Sequence, residues 1–203
     1  MTQAAPPPPP STIYPVSVSF ERGPEVPRWL PLVSWLLAIP HLIVVYALTA
    51  AYGFVELISF FTILFTKNIP DTLFNFQAMV LRYQLRVSTY VMFMRDEYPP
   101  FDFPSGGTDP GTDPARFSIV KPPEYQRFMP LIKWLLAIPH LFVLLFLGIA
   151  VLFVEVIAWF AVLFTGSWPV GMRDFVIGVT RWSYRVNAYV GFLVDEYPPF
   201  SLT

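Results

Sequence analysis

Two long apolar blocks dominate the chain, Pro31 to Thr66 and Pro130 to Thr165. As one helix the first would run about 54 Å, against a bilayer hydrocarbon core of about 30 Å. Pro40 lies inside it and disfavours helical geometry at Ile39. The pattern therefore predicts a short entry helix near the membrane interface, a break at Pro40, and a spanning helix from His41 to Thr66. Trp29 and Trp35 suit the interface. A turn around Pro70 follows, then a second helix from about Asp71 to Met94. Its polar stripe, at three- and four-residue spacing, is Asn75, Met79, Arg82, Arg86, Thr89 and Phe93.

The same pattern occurs twice, without a gap, at a constant offset of 99 residues. Trp35-Leu36-Leu37-Ala38-Ile39-Pro40-His41-Leu42 recurs as Trp134 to Leu141, and Glu56 recurs as Glu155. Leu64-Phe65-Thr66 returns as Leu163-Phe164-Thr165, and Arg82 and Arg86 as Arg181 and Arg185. Asp96-Glu97-Tyr98-Pro99-Pro100-Phe101 closes the first copy and Asp195 to Phe200 the second. Upstream of each copy, apolar and polar residues alternate: Val16, Val18 and Phe20 in one, Phe117 and Ile119 in the other. Period-two alternation predicts a short strand, and an extended linker is the competing reading. The organisation is thus a proline-rich tail (1–13), a first unit (14–103), a linker (104–114) and a second unit (115–203). Pro6 to Pro10 cannot form helix, and the linker, with Gly106-Gly107 and two Thr-Asp-Pro steps, reads as a mobile loop.

Charge decides how the second helices are read. Fold the hairpin near residue 68, and Glu56 and Arg82 fall at nearly the same depth, as do Glu155 and Arg181. An opposite charge at matched depth offsets much of the insertion penalty of about 2.5 to 3.5 kcal/mol for a charge at the bilayer centre. The expectation is an all-α membrane protein: a tandem parallel repeat of two hairpins, four transmembrane helices, interfacial entry helices and a short cytoplasmic strand pair. The alternative, a second helix lying at the interface, would make each unit cross once and invert the copies. Arg22, Arg28, Arg95, Arg116, Lys121, Arg127 and Lys133 flank the units, whereas the hairpin tips carry Lys67 and Arg173. By the positive-inside rule both termini and the linker are expected to be cytoplasmic, in a multi-pass protein of the cell membrane.

Composition narrows the chemistry. The chain is 55% apolar and 13% charged, with a formal net charge of −1 and no cysteine. Bulk charge gives no case for nucleic acid. The lack of cysteine removes disulfides, thiolate metal sites and thiol catalysis. The first residues show no basic segment followed by an apolar core, so no cleavable signal is expected.

The repeated string Trp-Leu-Leu-Ala-Ile-Pro-His-Leu, the Leu-Phe-Thr helix end, the Arg-x-x-x-Arg helix and the Tyr-Pro-Pro-Phe terminator resemble a bacterial family, best known from actinobacteria, called domain of unknown function 4389. That resemblance covers nearly all of the chain beyond the tail. It implies a small membrane protein of the cell envelope and no particular activity.

Candidate sites are few. His41 and His140 are the only histidines, at equivalent positions. Brought together by a pseudo-two-fold axis they would be weak metal or haem candidates, against a structural role at a helix start. Glu56 and Glu155 are either proton or cation sites or partners of Arg82 and Arg181. Arg86 and Arg185 exceed the glutamates and are candidates for lipid phosphate or a partner protein. No serine–histidine constellation, phosphate loop or metal-ligand cluster is legible, so no cofactor and no enzymatic activity are expected. The leading reading is a non-catalytic accessory or scaffold subunit of a larger membrane complex that also binds anionic lipid. A small transporter, channel or lipid-handling protein is the alternative, and a haem or metal protein the third.

Overall fold

The computed structural model describes residues 14–203, so the proline tail lies outside the described residues. Both alternating segments are strands. β1 (Val16–Phe20) pairs antiparallel with β2 (Ala115–Ile119), with Val18 opposite Phe117. In the first unit, α1 (Leu30–Leu37) and α2 (Ile39–Thr66) meet at Ala38, with Pro40 in the first turn of α2. α3 (Asp71–Val91) returns alongside α2. In the second unit the expected break is absent. α4 (Met129–Thr165) runs unbroken through Pro139, and α5 (Val170–Val190) returns alongside it. Ala38 itself has near-helical angles (φ −77°, ψ −10°), so the same proline only just ends one helix and leaves the other continuous. α2 and α4 both end on a left-handed residue, Lys67 (φ 57°) and Gly166 (φ 78°), which closes the last turn.

The molecule has three layers. α2 and α4 form one, α3 and α5 the middle, and the ribbon the third. A pseudo-two-fold axis relates the halves. Val26 N–H donates to Gly166 O at one end, and its counterpart Tyr125 donates to Lys67 O at the other. The hairpins are antiparallel, which corrects the parallel arrangement expected from the sequence. Gln77, early in α3, reaches Gly191 O just past α5, while Trp168, just before α5, reaches Phe93 O just past α3.

The strands are exchanged between units. Arg82 on α3 donates to Phe117 O of β2, and Arg181 on α5 to Val18 O of β1. Each unit's second helix therefore packs on the other unit's strand.

Among the described residues, only α2 and α4 are long and apolar enough to cross a membrane. Their most apolar windows are 11% and 6% buried, the reverse of a soluble core helix. Tyr46, Phe54, Phe65, Phe146, Phe153 and Phe164 are all more than half exposed along them. α3 and α5 fail that test, and four spanning helices is therefore not the arrangement supported. Their stripe of arginines faces the ribbon, and Arg82 and Arg86 are fully buried there.

Candidate functional site: an arginine–aspartate cluster and its open counterpart

Arg82 and Arg86 lie one turn apart on α3 and point away from α2, towards β2. Arg82 uses nearly its whole donor fork on peptide oxygens: Phe117 O (3.2 Å), Pro104 O (2.7 Å), Gly106 O (2.9 Å) and Gly107 O (3.3 Å). Its Nε also lies 3.1 Å from Asp109 Oδ2. Arg86 stands 3.6 Å from Asp109 and 3.9 Å from Asp113, so it is held by charge at distances beyond good hydrogen bonds. Arg95 closes the cluster with a 2.6 Å bond to Asp113. Burial pushes the Arg82 guanidinium below its usual range and Asp109 pulls it back up, while Arg86 adds to the depression.

The two aspartates come from the linker, which is a built element rather than a mobile loop. Asp109 accepts from Gly111 N–H and Phe117 N–H, and Asp113 from Ala115 N–H. Gly107 O accepts from Ile119 N–H, and a Cβ at Gly107 would overlap the Ile119 carbonyl. The linker thus covers the outer edge of β2 and sets two carboxylates against the three arginines of the cluster.

The pairing expected from depth matching does not form. Glu56 packs against Tyr52 and the Gly191 backbone at the end of α5, and Glu155 lines an apolar cavity of 270 Å³ with Phe93, Val156, Trp159 and Phe160. Depth along the hairpin was matched, but the arginines occupy the opposite face of their helix. Phe93 and Phe192, at equivalent positions beyond α3 and α5, are held at positive φ (45° and 65°), a costly conformation for a bulky residue.

In the second unit Arg181 donates to Val18 O (3.1 Å) and Leu202 O (3.0 Å). Arg185 lies 5.9 Å over the Tyr14 ring, and its buried Nε has no partner among the described residues. None of the ion pairs among the described residues involves Arg181 or Arg185. By the 99-residue offset, Tyr14 stands where the first unit's cluster has Asp113, and Pro10 where it has Asp109. Arg95 is replaced by Val194.

The histidines do not meet. His41 Nδ1 is 2.6 Å from Tyr83 Oη, and its ring stacks on Phe101 at 4.0 Å. His140 Nδ1 accepts from Trp182 Nε1 at 3.1 Å, and its ring stacks on Phe200 at 3.9 Å. Tyr98 and Tyr197 bond Leu37 O and Leu136 O, in the turns that each proline perturbs. The Pro-His string and the Tyr-Pro-Pro-Phe terminator are two halves of one clamp, formed separately in each unit. Among the described residues no three metal-ligating side chains converge.

These two clamps, with the helices between them, coincide with what the family comparison finds. The model of the domain of unknown function DUF4389 matches residues 32–102 and again residues 130–201. The chain belongs to this family, in two tandem copies. No curated protein and no solved structure matches it. Arg82, Arg86 and Arg95 lie inside the first matched segment, whereas Asp109 and Asp113 lie between the two segments. Asp109, Asp113, Arg95, Tyr83 and Trp182 were not legible as partners in the sequence. The available signal was the excess of arginine over glutamate on the helices, together with two acids four residues apart in the linker.

Proposed function

We propose that this DUF4389 protein is a non-catalytic, membrane-anchored scaffold or accessory subunit of a larger membrane assembly. One observation carries the reading: the molecule is apolar on one side and polar on the other. α2 and α4 expose large side chains over most of their surface. Across α3 and α5 lies a ribbon whose outward residues are Ser17, Ser19, Arg116 and Ser118. The ribbon crosses the helices at mid-length, where Arg82 and Arg181 meet it. Upright helices would put those polar residues in hydrocarbon at the costliest depth. Seating both apolar helices along one leaflet, with the ribbon in water, avoids this. The interior supports a structural role as well, because its arginines, histidines and tyrosines bind peptide carbonyls, aspartates and aromatic rings of the chain itself. The separation of Glu56 from Arg82 favours this structural reading over a transport path.

Two experiments test this. The chain has no cysteine, so single cysteines at Ser17, Lys67 and Gly166 report sidedness cleanly to a membrane-impermeant maleimide. The seated arrangement labels all three from one side; labelling of Lys67 and Gly166 from opposite sides would establish upright, inverted crossings. Native-level purification in gentle detergent with mass spectrometry tests the scaffold role. A stoichiometric membrane complex is expected, and a chain that emerges alone overturns the role.

A further inference from the structure

We infer that Arg181, Arg185 and the outer edge of β1 form a docking site for an acidic, extended segment of a partner protein. The inference rests on the scaffold reading only for the existence of a partner. The first unit shows how such a site is filled. There the linker lies along β2, and its outward N–H groups are taken by Asp113 (Ala115), Asp109 (Phe117) and Gly107 O (Ile119). Asp109 at the same time sits on Arg82 and Arg86. Backbone and charge are satisfied together, which is strand-edge recognition with a carboxylate anchor.

The pseudo-symmetric site has the receiving half, and among the described residues no segment lies along it as the linker lies along β2. Val16, Val18 and Phe20 are the register mates of Ile119, Phe117 and Ala115, so their N–H groups also point outwards. No hydrogen bond from these three N–H groups is found among the described residues. Arg181 already holds Val18 O as Arg82 holds Phe117 O. The Arg185 guanidinium lies one turn further on and makes no ion pair among the described residues. Residues 1–13 contain no aspartate or glutamate. Two guanidinium groups side by side at a strand edge favour an anion carried on an extended backbone over an apolar ligand. A lipid phosphate of the supporting leaflet is less well placed, since both arginines face the ribbon side, away from α2 and α4.

The chain provides its own probe. A fluorescent peptide of residues 103–115, Phe-Pro-Ser-Gly-Gly-Thr-Asp-Pro-Gly-Thr-Asp-Pro-Ala, is titrated with the full-length protein in detergent. Saturable binding is expected, weakened about tenfold or more when both aspartates of the peptide are asparagine, because charge-assisted bonds are lost. Arg185→Gln is expected to weaken it similarly, which separates this site from displacement of the native linker on Arg82 and Arg86. Tyr14→Asp places an acid where the first unit has Asp113, and is expected to block the peptide without removing either arginine. No saturable binding, equal binding of the asparagine peptide, or binding untouched by Tyr14→Asp overturns the inference. So does binding of inorganic phosphate or of vesicles containing anionic lipid in an Arg185-dependent way while the peptide fails; phosphate would assign a small-anion site, vesicles a headgroup site.

Discussion

The two halves of this protein share a backbone plan and about half of their aligned residues, yet they handle the same arginine pair in opposite ways. In the first half, three buried guanidinium groups face two buried aspartates from the linker. In the second half, the equivalent pair is half-buried, rests partly on carbonyls, and meets a tyrosine ring instead of a carboxylate. The helix with Arg-x-x-x-Arg is therefore a socket, and what fills it is decided by whatever precedes the neighbouring strand.

The largest expected effect breaks the filled socket. Asp109→Ala leaves Arg82 and Arg86 buried without their shared counter-ion and should cost about 3 to 5 kcal/mol. The loss is read as a fall in thermal midpoint or in the folded fraction after solubilisation. Arg185→Ala, the matching change in the second half, should cost less than about 1 kcal/mol, because no ion pair is broken. Equal losses at Asp109 and Arg185 would erase the difference between the halves. Next in size, His41→Ala strips the Tyr83 hydroxyl of a buried partner and the Phe101 ring of its stacking face, for about 2 to 4 kcal/mol. His140→Ala should match it within the same range, since the clamp is common to both units, and a much smaller loss in one unit would show that only the other clamp is structural. Gly107→Ala should cost about 1 to 3 kcal/mol through overlap with β2, with increased proteolysis of the linker as a second readout. Tyr14→Asp should add about 0.5 to 1 kcal/mol, a shift of opposite sign to the others, by giving Arg185 a partially screened counter-ion.

Much of the fold was legible. Uninterrupted apolar runs marked α2 and α4, alternation at Val16–Phe20 and Phe117–Ile119 marked the ribbon, and the constant offset marked the symmetry. The antiparallel hairpins match the inverted copies that an interfacial second helix implies, and differ from the parallel copies that depth matching implies. Position along the hairpin places Glu56 level with Arg82, but the angular position of Arg82 on its helix turns it away from α2. The linker departs from its mobile-loop expectation for a related reason. Glycine, proline and threonine describe its backbone freedom as a peptide, but Gly107 is there for its close approach to Ile119, and the two aspartates fix the rest. The clamp motifs were visible as strings, but their contact spans about 60 residues in each unit, and no local pattern links His41 to Phe101.

The exchanged strands have a consequence for biosynthesis. When the first unit leaves the ribosome, α3 carries two guanidinium groups whose cover, Gly106 to Ile119, follows 20 residues or more behind them in the chain. The second unit has the converse order: β1 is made long before α5, the helix it will cover. A nascent chain stopped anywhere between the units therefore holds an uncovered helix and an unpaired strand at once, and neither half can reach its final form until the other has been translated.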